Sequence, residues 1–460
     1  MKRSENILVI GLGSMGTYLV RRLTHGGHHV TVIEGDAKIL AEADATLDAR
    51  LILGDAADFG CWGRIDAAKM DYMIAVTNDD ALNILAAQIA DRYGIRQKIA
   101  RIRSVEVWAK NAPLTAADLK IDLVIRPGEL AAREVARLLK MQDGSGAVAV
   151  GDGELRVVNA TIGPDSLLAN VSLSQLADAY DDLPFRVVCV ERDIVTHIPG
   201  GDFEIRPGDR VHLIARKDQI AQLMLFAPVP PNAGDQVLII GGGLIGARIA
   251  ELLQSTYSVR LLEEDEARAE ELASVLEKTE CLHGDGLDRE TLLQAGLMNM
   301  NTVIVATGDN EANIMTSVLA KHMMQTGTEV SRPGRTITLV KKEDYVGIAS
   351  ALGTDMVLSA QILGANAVLR HIRSDYVLNV AHLHGCDAEM VQLIANPGSP
   401  ITKRPLHSIP DMAGRIMISG VRTDGRWDIA RGVTQIREGD HVECVCSFDG
   451  LAELQRLFFA

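Results

Sequence analysis

The chain has 460 residues, of which 47% are apolar, 4% aromatic and 23% charged, and its formal net charge is −15. At roughly 150 residues per domain this length predicts about three domains, and packing by Val, Ile, Leu, Ala and Gly favours α/β units with buried parallel strands over β-sandwiches. The acidic balance, without a long Lys/Arg run, excludes a phosphate-backbone binder, so no nucleic-acid partner is expected.

The polar residues Met1 to Asn6 lead directly into a strand, so no signal peptide is expected. No apolar stretch approaches the ~20 residues of a bilayer crossing. A membrane role would therefore be exercised from outside the bilayer. Ile7 to Ile10 reads as a short buried strand, followed by Gly11-Leu-Gly13-Ser-Met-Gly16 and a helix. This strand–turn–helix setting is what gives a G-x-G-x-x-G its meaning. Gly11 permits the tight turn, Gly13 lets the backbone approach a pyrophosphate, and Gly16 lets helix and strand pack closely. The helix N-terminus then offers N–H groups and a positive dipole end to phosphates. Val30 to Ile33 forms the second strand and ends at Glu34, which can accept hydrogen bonds from both ribose hydroxyls of an adenosine. It would repel a 2′-phosphate, so NAD is favoured over NADP.

Asp55 follows the third strand and Thr77-Asn78 the fourth, at the carboxyl edge where such sheets bind ligands. For Asp55 a simple turn or cap is an equal alternative. Asn83, on the next helix, is read as a cap or a solvent-facing residue. Arg101, at the end of the fifth strand, places a cation within reach of phosphates.

A smaller unit follows, in which the segment FEIRPGDRVHLIA from Phe203 turns on Gly-Asp into a strand, and a helical segment ends it at Asp218 to Phe226. The proline-rich linker Ala227 to Gly234 excludes helix. Then the pattern repeats. NILVIGLGSMGTYLVRRL from Asn6 matches QVLIIGGGLIGARIAELL from Gln236. Gly11, Gly13 and Gly16 recur as Gly241, Gly243 and Gly246, an offset of 230 residues from 11 to 241. Glu263, or alternatively Glu264, takes the place of Glu34, while Asp285 and Thr307 take those of Asp55 and Thr77. TQIREGDHVECVC from Thr434 repeats the small unit, with a last helical segment from Asp449 to Phe459. The order is A-B-A-B. The second copy departs at Gly308, which replaces Asn78, at Leu339, which replaces Arg101, and in an insertion-like stretch from Gln325 to Arg335.

The six cysteines form no C-x-x-C pair and no disulfide framework, which places the chain in the cytoplasm. Cys444 and Cys446 share one side of a strand and leave a metal or redox option open, with small buried hydrophobes as the main reading. His28-His29 reads as solvated. His382 and His384 alternate on a strand without a third ligand, so no metal site is expected. No catalytic constellation is evident, and no enzyme activity is expected.

The A-B-A-B order, with ILVIGLGSMG, GDAAD at Gly54, MIAVTNDDALNILAAQIA from Met73 and KIARIRSVEVW from Lys98, resembles the regulatory subunits of Trk potassium uptake systems (the TrkA family). The resemblance covers essentially the whole chain. It implies an α/β protein of two Rossmann-like, doubly wound parallel-sheet domains, each followed by a small α+β RCK C-terminal domain. The bounds are 1–126 for the first RCK N-terminal domain and 127–228 for a linking helix with the first RCK C-terminal domain. The second pair falls at 234–357 and 358–460. By the same resemblance the clefts bind NAD(H), and ATP or ADP in the same place. The first uses Gly11, Gly13, Gly16, Glu34, Asp55, Thr77, Asn78 and Arg101, and the second Gly241, Gly243, Gly246, Glu263, Asp285 and Thr307. The implied partner is an integral-membrane potassium-translocating subunit (TrkH/TrkG-like), met on the inner face of the cell membrane by a dimer or tetramer of this chain. The implied mechanism is allosteric gating. The rival readings are an NAD-dependent dehydrogenase with a substrate cleft between the halves, and an inert scaffold with two degenerate clefts.

Overall fold

The computed structural model describes residues 4–104, 114–140, 148–180, 185–192, 195–223, 236–326, 334–372, 377–383, 386, 388–409, 412, 414–447 and 450–459. The linker 227–234, positions 327–333 of the insertion-like stretch, and His384 lie outside these residues.

The first sheet holds β1 (Asn6–Ile10), β2 (His29–Glu34), β3 (Arg50–Leu53), β4 (Tyr72–Ala75), β5 (Gln97–Arg101) and β6 (Leu123–Ile125). All pairs are parallel, in the order β3-β2-β1-β4-β5-β6. Helices α1 (Ser14–His25), α2 (Ala37–Asp44), α3 (Phe59–Gly63) and α4 (Asp80–Arg92) make the crossovers. Ile7, Leu8 and Val9 of β1 are buried because helices cover both faces of the sheet, which is why the strand reads as continuously apolar. The order reverses between β1 and β4, and the Gly-rich turn lies at that switch point. A separate helix, α5 (Pro127–Lys140), leaves β6 with proline at its first position, where a missing N–H costs nothing.

The small unit pairs β7 (Val148–Val150), β8 (Leu155–Thr161), β10 (Phe185–Arg192), β11 (Val195–His197) and β13 (Arg210–Arg216) in the order β11-β10-β13-β8-β7. The short strands β9 (Val171–Ser172) and β12 (Glu204–Ile205) form a side ribbon, and α6 (Leu173–Ala179) starts in a Ser172/Gln175 capping box. The described part of the closing helix, α7, is Ile220–Leu223.

The second half repeats this plan. Its parallel sheet runs β16-β15-β14-β17-β18-β19, with β14 (Gln236–Ile240), β15 (Ser258–Glu263), β16 (Thr279–His283), β17 (Thr302–Val305), β18 (Arg335–Val340) and β19 (Met356–Ser359). Its helices are α8 (Leu244–Leu253), α9 (Glu266–Val275), α10 (Arg289–Gln294), α11 (Asn310–Thr326) and α12 (Asp344–Ala351). A linking helix, α13 (Ala360–Ile372), again follows the last strand. The final unit orders β20 (Val377–His382), β21 (Ala388–Ile394), β22 (Ile416–Thr423), β23 (Arg426–Ile429) and β24 (His441–Ser447) as β20-β21-β24-β22-β23 and ends in α14 (Leu451–Phe458). Read from the other edge, this is the order of the first small sheet.

The linking helices are exchanged. Ala131, Ala132, Val135, Ala136, Leu138 and Leu139 of α5 pack into the core of the second Rossmann unit, against Val237, Ile239, Ile249 and Leu253. Ala365, Val368, Leu369 and Ile372 of α13 pack reciprocally on Ile7, Tyr18, Leu19 and Leu23 of the first. These positions recur at i, i+3, i+4 and i+7, a single apolar stripe. Fully burying each Val, Leu or Ile is worth about 1.5–3 kcal/mol over leaving it exposed. Arg248 of α8 adds a two-toothed ion pair to Glu129 of α5, Nε–Oε2 2.8 Å and Nη2–Oε1 3.0 Å. That guanidinium, with Arg133 behind it and burial acting the other way, holds the Glu129 carboxyl down at about 2. The two small units share a further core, in which Val150, Leu155, Val188 and Ile214 meet Leu383, Met390, Trp427 and Val445.

Candidate functional site: two nucleotide clefts

The two Gly-rich turns are built alike. Gly11 has φ +96° and Gly241 φ +101°, a left-handed backbone open mainly to glycine. A Cβ on Gly16 would lie 1.9 Å from the Gly11 carbonyl oxygen, and one on Gly246 would lie 1.9 Å from that of Gly241. These glycines set how closely helix meets strand. A Cβ on Gly13 or Gly243 would meet nothing within 4 Å, so both turns leave open space at the helix start. Neither α1 nor α8 has a side-chain cap. In contrast Asp36, Asp58 and Asp79 cap α2, α3 and α4, and Asp265 and Asp288 cap α9 and α10. The first-turn N–H groups of α1 and α8 are left for an external acceptor.

Glu34 stands at the rim of the first turn. Its Oε2 accepts from the Leu12 N–H (2.6 Å) and its Oε1 from the Asp36 N–H (2.9 Å). Glu263 repeats both contacts with the Gly242 and Asp265 N–H groups. Glu263 rather than Glu264 is thus the counterpart of Glu34. Each carboxylate oxygen retains a lone pair, so backbone amides orient the acid without exhausting it. Asp55 and Asp285 are exposed and accept from amides of their own turns, Ala57 at 2.8 Å and Leu287 at 2.7 Å.

At the β4 edge the Asn83 side chain is fully buried. Its Oδ1 accepts from the Thr77 N–H (3.1 Å) and hydroxyl (2.7 Å), and its Nδ2 donates to the carbonyls of Thr77 (3.1 Å) and Arg101 (2.8 Å). The reading of Asn83 as a cap or solvent-facing residue is corrected, because it latches the β4 loop to the end of β5. Asn313 does the same for Thr307 and Leu339. The matching recurrence of Asn83 and Asn313 in the repeat was the available signal. Arg101 is nearly buried, donates from Nη1 to Asn78 Oδ1 (3.1 Å), and has a buried Nε without a partner. Burial first, and the Arg103 guanidinium second, lower its hold on the proton from the ordinary arginine value. A buried cation with a free donor suits an anion. These features fit a dinucleotide: open space at Gly13, uncapped amides, an oriented acid, and a cation at the neighbouring strand end.

The second cleft has Leu339 at the arginine position, buried among apolar residues. It carries instead a cation absent from the first copy. Arg268 of α9 donates from Nε to the Gly242 carbonyl (3.2 Å) and pairs with Glu271 at 2.6 Å. Sequence comparison of the halves missed it, because its counterpart counted from the cap aspartates Asp36 and Asp265 is the apolar Ile39. His28 accepts from the Glu5 N–H at 3.3 Å on the edge opposite the clefts. Cys444 and Cys446 are both buried in the last unit's apolar core. Among the described residues no helix is long and apolar enough to cross a membrane.

Family models of the TrkA-N domain match residues 7–127 and 237–360, and one of the TrkA-C domain matches 157–227, together more than half the chain. The Trk system potassium uptake protein TrkA of Azorhizobium caulinodans is 27% identical over 458 residues, covering 98% of each chain. That of Vibrio alginolyticus is 28% identical over 440 residues, covering 95% of this chain and 94% of its own. Among solved structures, the GsuK RCK domain superposes with a TM-score of 0.57 at 17% identity, over 99% of this chain and 95% of its own. GsuK has also been solved as a channel with NAD and in a form bound to ADP, at TM-scores of 0.57 and 0.51 and identities of 18% and 15%. The former match covers 99% of this chain and 78% of that one, the latter 81% and 71%. By these matches and by its doubled Rossmann-plus-small-unit architecture, the chain belongs to the TrkA family of potassium uptake regulatory proteins.

Proposed function

We propose that the chain binds NAD(H), with ATP or ADP competing for the same clefts, and passes the identity of the bound nucleotide to a membrane potassium-translocating subunit. The observation that carries this reading is the orphaned, buried Arg101 Nε at the carboxyl edge of the same sheet whose β1 runs into the uncapped start of α1. When bound, the nucleotide supplies charge and shape rather than chemistry. Gly11, Gly13 and Gly16 admit its pyrophosphate, the α1 amides and Arg101 balance the phosphate charge, and Glu34 holds the adenosine ribose. Gly241, Gly243, Gly246 and Glu263 do so in the second cleft, with Arg268 replacing Arg101 as the nearby cation. Asp55 and Asp285 shape their own turns, while Thr77, Asn78 and Thr307 shape the loop beside the phosphates.

The exchanged helices provide the coupling. The Met15 side chain, in the first turn of α1, touches the position a Cβ on Gly364 of α13 would take, at 3.3 Å. Ile245, in the first turn of α8, stands equally close to Gly128 of α5, also 3.3 Å. A nucleotide seated at either helix start therefore presses on a helix that belongs to the other half. Ligands of different phosphate length bias the angle between halves only through unequal affinity for its two settings. The chain acts at the cytoplasmic face as a homo-oligomer, a dimer or tetramer closing a ring, and performs no reaction of its own.

The test is rubidium uptake in cells lacking the chain, restored with intact protein, Gly13→Asp or Gly243→Asp, alongside calorimetric titration of each purified form with NADH, NAD, ATP and ADP. Uptake that depends on the chain and falls with the cleft whose binding is lost supports the proposal. Uptake indifferent to the deletion, or unaltered when both clefts have lost binding, overturns it.

A further inference from the structure

Cys189 of β10 and His212 of β13 are direct cross-strand partners, brought onto one face by the register shift between Val187 and Cys189. Both are buried, and both point toward the second small unit. From that unit comes Cys386, in the turn between β20 and β21, with its N–H directed to the Leu383 carbonyl. One ligand atom from each of the three side chains lies within 4.8 Å of the others. Residues almost two hundred positions apart converge here. The surroundings are the apolar core shared by the two units, including Val188, Leu383, Ala388 and Met390.

A fourth side chain completes the pattern. Glu191, two residues beyond Cys189 and so on the same face of β10, sits 3.1 Å from His212 Nε2 through its Oε1. Arg210 stands behind it at 3.8 Å. With Nε2–H donating to Glu191, Nδ1 is the ring nitrogen left to a cation once it has lost any proton of its own. Metal-bound histidines are oriented in this way, by a carboxylate on the far ring nitrogen. Two sulfurs and one imidazole are the donor set of soft or borderline cations with tetrahedral preference. Two thiolates neutralise a divalent ion, which lets the whole group sit in an apolar interface without net charge.

We propose that Cys189, His212 and Cys386 bind one zinc ion between the two small units, with Glu191 as the positioning residue for His212 and the fourth coordination place left to water. Binding releases to solvent the two thiol protons and any proton on His212 Nδ1, and changes no oxidation state. Because the ligands come from both halves of the chain, the ion clamps one small unit to the other. The site lies apart from the nucleotide clefts, and its existence does not depend on the function proposed for them.

The experiment uses the full chain, purified reduced and without chelator, then loaded with zinc and freed of excess. Metal content is measured for wild type, Cys189→Ser, Cys386→Ser and the control Cys281→Ser, whose thiol lies in the second Rossmann sheet. Cobalt(II) replacement is read by absorption. The expected result is one zinc per chain in wild type and Cys281→Ser, and about a tenfold or greater loss of affinity in the two ligand variants. Intense sulfur-to-cobalt charge-transfer bands should appear in wild type and diminish in either ligand variant. A chelator should lower the melting temperature of wild type but not of Cys386→Ser. Failure of wild type to hold zinc overturns the proposal, as does zinc retained equally by both ligand variants. A Cys189–Cys386 disulfide in the unreduced chain, mapped by mass spectrometry, overturns it too.

Discussion

Gly13 and Gly16 lie three residues apart and constrain the chain in different ways. A side chain on Gly16 would collide with the Gly11 carbonyl, whereas one on Gly13 would enter open space. Gly16→Ala is therefore predicted to cost about 1–3 kcal/mol of stability, as overpacked sites do. Gly13→Asp should fold normally and weaken nucleotide binding at least about tenfold, since it sets a carboxylate where the phosphates would sit. Denaturant melts and calorimetry separate the two, and a Gly13→Asp protein with intact affinity would remove the phosphate role from this turn. Arg101→Leu copies Leu339 into the first cleft. The change removes an unmet buried donor together with the Nη1 bond to Asn78, so stability should shift by no more than about 1 kcal/mol while binding falls by about 1.5–3 kcal/mol. Unchanged affinity would contradict the assignment of Arg101 to the ligand. Glu443 supplies a pH test. It is buried, accepts from the Gly151 N–H at 3.1 Å, and burial pushes its carboxyl up to about 8. The folded chain thus keeps a proton that the unfolded chain releases near 4.5. Stability should fall as pH rises from about 4.5 to about 8 and level off above, by at most ~1.4 kcal/mol per pH unit from this group. Glu443→Gln should flatten that slope in melts taken across the range, and an unaltered slope would acquit Glu443. The glycines and Glu34 were legible in sequence because their chemistry is local. Asn83 was not, since the same asparagine suits a cap or a latch until β5 is beside it.

Among elements, α5 and α13 carry the largest lesson. Their apolar stripes are evident from spacing alone, yet a stripe states that a face is buried and not what buries it. Each stripe suits its own sheet as well as its neighbour's, so the exchange could not be read from periodicity. The ion pair of Glu129 with Arg248 reports the exchanged arrangement directly. Glu129→Gln is predicted to destabilise the chain by about 1–3 kcal/mol at neutral pH. The contribution belongs to the ionised carboxyl, so it is present above about 4.5 and fades as pH falls toward about 2. A melt of this variant equal to wild type at pH 7 would mean that the pair contributes nothing to the crossing. The doubly wound parallel sheets, by contrast, were expected from the repeat and the resemblance, and right-handed crossovers leave few strand orders once the first strand is placed.

At the scale of the molecule, the tandem order was plain from the repeated motifs, while the contact between small units was not. Cys189, His212 and Cys386 are unremarkable singly, and only the meeting of the two halves turns them into a cluster. Segments 1–230 and 231–460, expressed apart, would each bare the face that the other's linking helix covers. They are predicted to aggregate when made singly and to copurify as a one-to-one complex when made together. Recovery of either as a stable monomer would speak against the exchange. The joined chain has a further consequence. A half-length chain built this way would have to find a second copy of itself, and every substitution would then fall on both clefts at once. Covalent fusion keeps the partner always at hand and releases the clefts from identity, so that one carries Arg101 while the other carries Leu339 in that place and Arg268 beside its Gly-rich turn. The duplicated chain thereby holds two unlike Gly-rich sites on one reciprocal crossing of helices.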